Sequence, residues 1–527
     1  MTEIISPASA ALNDKQAGRP SARYRVALST LTDLYQLTMA YGYFATGTMS
    51  KEAVFHMSFR KNPFNGGFAV AGGLSDLIDF VEHFRFEQAD LQFLAELQGS
   101  DHKPLFSAEF LDYLRDLKLT LDIDAVAEGE VVFAHEPLVR VRGPIIHCQL
   151  LETALLNIIN FQTLIATKAA RLKLAAQGKE VLEFGLRRAQ GIDGGLSASR
   201  SAYLGGCDAT SNVLAGRLYG IPVKGTHAHS WVMSYDDELT AFREYARAMP
   251  NNCIFLVDTY DTLAGVANAI KVGLELRACG HELAGVRLDS GDLAYLSAEA
   301  RKMLDAAGFL QAQIVASNDL DEAVIASLID QGAAIDVWGV GTKLVTASDQ
   351  SALGGVYKLS CVRDQAEDTV DTSWQYRLKL SEQVIKISTP GIHQVRRFYL
   401  AQDAHQDGRM GDKRFIADMI FDCQNDAIAE NLEQPVIVDP IDFTRRKSIS
   451  AQAIYEDLLV PIFRGGKLVY NEPTLEESRA LRHMRLQSFH PSILRLLNPH
   501  QYPVGLEAGL HKMKLDIVMR DRGFAHQ

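Results

Sequence analysis

From about residue 165 to residue 345, short apolar runs alternate with stretches of helical periodicity. The runs are Val181 to Phe184, Pro222 to Gly225, Cys253 to Val257, Gly285 to Leu288, Gln313 to Ala316 and Ala334 to Trp338, with Val356 to Leu359 a further candidate. Between them apolar residues recur at helical spacing over Asp208 to Tyr219, Glu238 to Met249, Thr262 to Cys279, Leu293 to Ala307 and Asp319 to Gln331. Runs buried on both faces, joined by amphipathic helices, predict a parallel sheet with helices packed over it. Polar residues crowd just after the runs: Arg187 and Arg188, His229, Asp258 and Asp261, Asp289 and Asp292, Asn318 and Asp319, and Gly339 to Lys343. Active sites of such folds are built at the carboxyl ends of the strands, so these groups are expected to converge.

The flanking regions have another texture. Leu31 to Tyr41 reads as a short helix with Thr32 or Asp33 as N-cap and Gly47 beyond its end. Ala53 to Phe59 reads as a strand, residues 74–118 as helices, Ile123 to Arg142 as strands and Pro461 to Tyr470 as a hairpin about Gly465-Gly466. The expected division is a mobile segment 1–23, an N-terminal α+β domain 24–164, a catalytic α/β domain 165–400 and a C-terminal region 401–527 packing with the N-terminal domain. Leu150 to Ala170 is the most apolar helical stretch, but Glu152, Asn157, Asn160, Gln162 and Lys168 interrupt it. It is too polar to span a bilayer.

With 527 residues, 47% of them hydrophobic and 22% charged, the chain has room for two or three ordinary globular domains. A net charge of -12 argues against a general nucleic-acid or anionic-membrane partner. Six cysteines without paired spacing fit a reducing compartment, and the start lacks the apolar core of a signal peptide. A cytoplasmic protein is expected.

The candidate chemistry centres on Gly225-Thr226-His227-Ala228-His229-Ser230. If the segment is extended, the two imidazoles point to one side. They suit either a metal pair, weakened by the lack of further ligands at matching spacing, or one functional histidine beside a hydroxyl. Trp338 to Lys343 closes a buried run with glycines that let main-chain N–H groups approach an anion, without the spacing of a P-loop or a dinucleotide fingerprint. Arg287-Leu288-Asp289-Ser290-Gly291-Asp292 places a guanidinium and two carboxylates on one turn. Asp289 suits sugar hydroxyls or water-mediated magnesium, and Asp292 equally suits a helix cap. Asp258 and Asp261 pose the same choice. Arg187 and Arg188 could clamp an anion, as could Arg60-Lys61 ahead of a Pro/Gly turn. Phosphate donors, sugar-binding carboxylates, cations and one histidine together suit transfer from a phosphorylated sugar.

These motifs resemble the nicotinate phosphoribosyltransferase family. The resemblance rests on Thr32 to Met39, Glu183 to Ala189, Gly225 to Ser230, Val286 to Asp292, Gly339 to Thr342, Lys386 to Arg397 and Leu497 to Gly505. It implies an irregular α/β barrel of the type II phosphoribosyltransferase kind plus an α+β domain from the N- and C-terminal regions, in a homodimer with a shared active site. It implies a magnesium-dependent reaction of nicotinate with phosphoribosyl pyrophosphate, coupled to ATP hydrolysis, in NAD salvage. By that likeness His229 is catalytic and transiently phosphorylated, while His227 is not catalytic. Asp289 is catalytic and meets the ribose, Phe184 and Tyr35 stack on the pyridine ring, and Arg187 and Arg287 meet substrate anions. Gly341 and Thr342 take the 5'-phosphate, Thr226 and Ser230 complete the substrate site, and Asp258 with Asp289 holds Mg2+ through water. Alternatives are nicotinamide phosphoribosyltransferase, a non-catalytic phosphosugar-binding regulator on the same fold, and a zinc hydrolase. A carboxylate within Asp208 to Asn212 is the place to look for amide recognition.

Overall fold

The computed structural model describes residues 18–364, 373–401, 413–424 and 435–524. The chain divides into two compact units, one containing residues 165–351 and the other residues 16–164 and 352–527. The expected boundary at residue 400 therefore moves to 351. The physical reason lies in strand pairing: Val356–Arg363, read as a possible further strand of the α/β rhythm, pairs antiparallel with Glu52–Ser58 in the other unit.

In the first unit a six-stranded sheet runs in the order Ala209–Thr210, Glu180–Glu183, Val337–Val340, Gln313–Ala316, Gly285–Leu288, Ile254–Leu256, every pair parallel. The Val337–Val340 strand is buried at every position, as a strand covered on both faces must be. The helices Glu238–Ala248, Thr262–Ala278, Leu293–Ala306 and Glu322–Asp330 open on Asp237, Asp261, Asp292 and Asp321, whose side chains each accept a main-chain N–H of the first turn. Two of the candidate carboxylates, Asp261 and Asp292, are thereby caps. Pro222 to Gly225 is not a strand; only Val223 bridges to Thr210, and Pro222 has no N–H to offer a ladder.

The second unit contains a seven-stranded sheet whose centre is Val356–Arg363, Glu52–Ser58, Pro137–Pro144 and Asp122–Val126, extended by the hairpin Leu459–Arg464 and Lys467–Leu468. A six-stranded sheet is built around His393–Ala401 and Lys413–Asp422, with Val504–Glu507 parallel to the latter. N-terminal and C-terminal segments thus share one core, as Leu459–Arg464 pairing with Asp122–Val126 shows. Residues 1–17 of the expected mobile segment lie outside the described residues, whereas Pro20–Arg23 is a helical turn held by Ser21 on Asp79.

Arg397 is fully buried in this unit, bonded to Asp418, Glu130 and the Val131 carbonyl. Phe133, Phe415 and Phe489 pack about its guanidinium. It is a scaffold cation rather than a substrate one. Among the described residues no helix is long and apolar enough to cross a membrane.

Candidate active site

The carboxyl ends of the parallel strands gather the first unit's candidates. Gly285–Leu288 delivers Arg287 and, one residue past its end, Asp289. The Arg287 guanidinium donates to Asp289 Oδ1 at 3.1 Å, to Ser317 Oγ at 2.9 Å and to Thr226 Oγ1 at 3.3 Å. Ser317 also donates to Asp289 Oδ1, closing a triangle that fixes both charged groups. Arg287 lies 5.6 Å from the centre of the Phe184 ring.

Phe184 follows the Glu180–Glu183 strand, and its place depends on glycine. A Cβ on Gly339 would come within 2.8 Å of the Phe184 ring, and one on Gly185 within 2.3 Å of the Val345 side chain. Beneath it, Glu183 is buried and accepts from Gly185 N, Ser199 Oγ and Thr210 Oγ1. A buried carboxylate with three donors is well satisfied, and it ties the Phe184 loop to the neighbouring strand edge. Arg187 and Arg188 occupy the exposed turn that follows, with no side-chain hydrogen bond or ion pair among the described residues.

The two histidines of the central motif diverge. The segment is a loop that becomes the helix His229–Met233, so the common side expected of an extended chain is not found. His227 is buried against Tyr245, Phe242 and Phe255, and its Nε2 accepts the Leu256 main-chain N–H. Burial pushes its pKa down to about 4, the neutral state an acceptor nitrogen needs. His229 is 41% exposed, with Nδ1 at 3.1 Å from Thr259 Oγ1 and Nε2 at 4.0 Å from Asp289 Oδ2. Ser230 is exposed beside it.

Asp258 accepts from the Asp289 main-chain N–H at 2.9 Å and from Ser290 Oγ at 2.6 Å, both on Oδ2. Its Oδ1 is buried with no hydrogen-bond partner among the described residues. That orphaned oxygen, beside Asp289, forms a hard oxygen donor set of the kind that holds Mg2+ through water. Among the described residues no three His, Cys, Asp or Glu side chains gather as a metal cluster.

Gly341 caps the helical turn Thr342–Val345, and a Cβ there would meet the Phe184 carbonyl oxygen at 3.1 Å. Asp208 is spent on the scaffold, paired with Lys173 at 2.7 Å and accepting the Val181 N–H. Asn212 caps the helix Val213–Tyr219 and bonds to Ser199. In the second unit Tyr35 is 49% exposed on the helix Leu34–Ala45. Arg60 and Lys386 line a cavity of that unit. Sequence reasoning missed Ser317, Thr259 and Glu183. Only Ser317's position just after a strand could have marked it.

Family models cover most of the chain. The nicotinate phosphoribosyltransferase N-terminal domain matches residues 30–160, the family's own model residues 180–387 and its C-terminal domain residues 393–514. Nicotinate phosphoribosyltransferase of Bacillus subtilis (strain 168) is 44% identical over 93% of this chain and 95% of its own length. The Caenorhabditis elegans protein of the same name is 38% identical over 92% of each. The crystal structure of human nicotinic acid phosphoribosyltransferase superposes with a TM-score of 0.76 at 34% identity, covering 92% of this chain and 99% of that one. Nicotinate-nucleotide pyrophosphorylase from Pyrococcus furiosus, 20% identical, shares the fold with a TM-score of 0.63 over 88% of this chain and 98% of its own. The α/β unit with its accompanying α+β unit is thus a known architecture, and the chain belongs to the nicotinate phosphoribosyltransferase family.

Proposed function

We propose that the protein joins nicotinate to phosphoribosyl pyrophosphate in NAD salvage. The pyridine nitrogen attacks the anomeric carbon, the bond from that carbon to pyrophosphate breaks, and nicotinate mononucleotide and pyrophosphate leave. The observation that carries this reading is the Arg287–Asp289–Ser317 triangle beside the Phe184 ring, in a chain that matches the family over most of its length. An aromatic face with a fixed guanidinium suits a planar pyridine carboxylate, and a carboxylate next to it suits a ribose whose ring gains positive charge in the transition state.

In this reading Phe184 stacks on the base, Tyr35 of a partner subunit covers the other face, and Arg187 and Arg287 meet substrate anions. Thr226 and Ser230 complete the site, and Gly341 with Thr342 takes the 5'-phosphate. Asp258 and Asp289 would hold Mg2+ through water, and that ion would neutralise the departing pyrophosphate. His229 couples ATP: with Nδ1–H donated to Thr259, the Nε2 lone pair attacks the γ-phosphorus and ADP leaves. The phosphoryl group on His229 would then set negative charge beside Asp289.

Nicotinate is favoured over nicotinamide because the only carboxylate within Asp208 to Asn212 is already paired with Lys173. The test is product formation by the purified chain with each base, phosphoribosyl pyrophosphate and magnesium. Nicotinate is expected to give a kcat/KM at least about 100-fold higher, since a carboxylate buried against arginine and its amide differ by a charge-assisted pair. Equal or better use of nicotinamide would contradict the assignment, and no turnover of either would favour a binding protein.

A further inference from the structure

The second unit contains a cavity of about 70 Å³ whose walls, among the described residues, include Arg60, Lys358, Lys386 and Lys514 but no aspartate or glutamate. In a protein of net charge -12 that is a local excess of cations with no charge partner on the walls. His56 and Lys358 are directly opposite one another on the paired strands Glu52–Ser58 and Val356–Arg363. Lys514 reaches in from the C-terminal helix Ala508–Asp521. Among the described residues, carboxylates act on these walls only through space: Glu152 on Lys358, Asp439 on His135 and Asp422 on His393.

Two wall groups are buried and underused. The His393 main-chain N–H donates to His56 Nε2 at 3.0 Å, which leaves the ring proton of neutral His56 on Nδ1. His56 is 6% exposed, and that Nδ1 has no hydrogen-bond partner among the described residues. Lys514 is 9% exposed, and among the described residues its amine has one bond, to Thr389 Oγ1 at 3.3 Å. An ammonium has three protons to donate, so two are left over. Burial lowers its pKa to about 8, the cost of a buried cation that no carboxylate offsets. A bound anion would offset that burial cost.

We propose that Lys514 and His56 are anion-holding residues of a phosphoryl oxyanion site in this cavity, making the C-terminal helix part of the phosphate-binding machinery. The inference rests on the reading that the protein handles diphosphates. The ligand is a phosphate or diphosphate group, whether free or carried by phosphoribosyl pyrophosphate or ATP. Lys514 supplies the charge-assisted bonds and His56 a neutral donor.

The test is calorimetric titration of the full-length protein with inorganic phosphate, pyrophosphate, phosphoribosyl pyrophosphate and ATP separately, for wild type, Lys514→Met, Lys514→Arg and His56→Phe. Lys514→Met is expected to weaken whichever of these the site takes by about ten-fold or more, with Lys514→Arg restoring most of it. The KM for nicotinate stays unchanged in both. His56→Phe keeps the stack on His393 and loses affinity for the same ligand; if it does not fold, the Lys514 pair decides. Unchanged affinity in Lys514→Met, or no binding of any of the four by wild type, overturns the proposal. Nicotinate mononucleotide formation by the same wild-type preparation shows separately whether the enzymatic reading stands.

Discussion

His227 gives its Nε2 lone pair to the Leu256 amide inside an aromatic cluster, while His229, two residues on, stands half exposed between Thr259 and Asp289. Their residue types are identical and their burial is not, so spacing alone could not assign their roles. Burial also sets the state of Glu136, where Arg397, Asp418, Glu130 and Tyr502 crowd together. Its Oε2 accepts the Phe133 N–H, but its Oε1 has no partner if both oxygens are acceptors. A proton on Oε1 donated to Asp418 resolves this, and desolvation followed by the Asp418 charge holds the carboxyl well above its usual range. With the folded pKa raised, Glu136's contribution to stability is fully present below about pH 4.5 and is lost as pH rises through the folded value. Glu136→Gln, which keeps a donor toward Asp418, should therefore gain on wild type as pH rises from 5 to 8 in urea denaturation. A pH-independent difference between the two would show that Glu136 is ionised in the fold.

At the scale of elements, the parallel strands were the most legible part of the chain. Gly285–Leu288 and Gln313–Ala316 keep the bounds their apolar runs imply. Their polar followers, Asp289 and Ser317, meet because neighbouring parallel strands end together. The strand Ala209–Thr210 was not legible, since two residues carry no periodicity. Nor was the helix Gly191–Gly205, whose four glycines and three serines lower its helix propensity. Val337–Val340 lies later than the run Ala334 to Trp338 because Gly339 belongs to the strand, where its missing side chain admits the Phe184 ring. Gly339→Ala should push that ring aside, raising the nicotinate KM by about ten-fold or more and lowering stability by about 1–3 kcal/mol. Steady-state kinetics and a thermal melt check both; unchanged KM would mean that Phe184 does not carry the base.

Across the whole molecule, the candidate residues lie in both compact units, Phe184, His229 and Arg287 in one and Tyr35 in the other. Leu31, Leu34, Tyr35 and Met39 leave exposed apolar surface around the helix Leu34–Ala45, which suits an interface. If active sites are shared between two copies, mixing Tyr35→Ala and His229→Ala proteins, each lacking ATP-stimulated activity, under exchange should restore roughly a quarter of the wild-type ATP-stimulated activity. Two sites each built within one copy would restore none. Sharing between copies is implied only by the family resemblance, and the cationic cavity was not legible in the sequence because its residues lie far apart along the chain. The family motifs, by contrast, were plain because each is a contiguous loop at a strand end.

The account's central claim is that this chain forms nicotinate mononucleotide and that His229 links the reaction to ATP. The direct measurement is product formation from nicotinate and phosphoribosyl pyrophosphate with magnesium, with and without ATP, for wild type and His229→Ala. The account predicts wild-type turnover stimulated by ATP and a mutant in which that stimulation is gone. A His229→Ala protein that keeps the full ATP response would contradict the role of His229, and a wild type that forms no product would contradict the function itself.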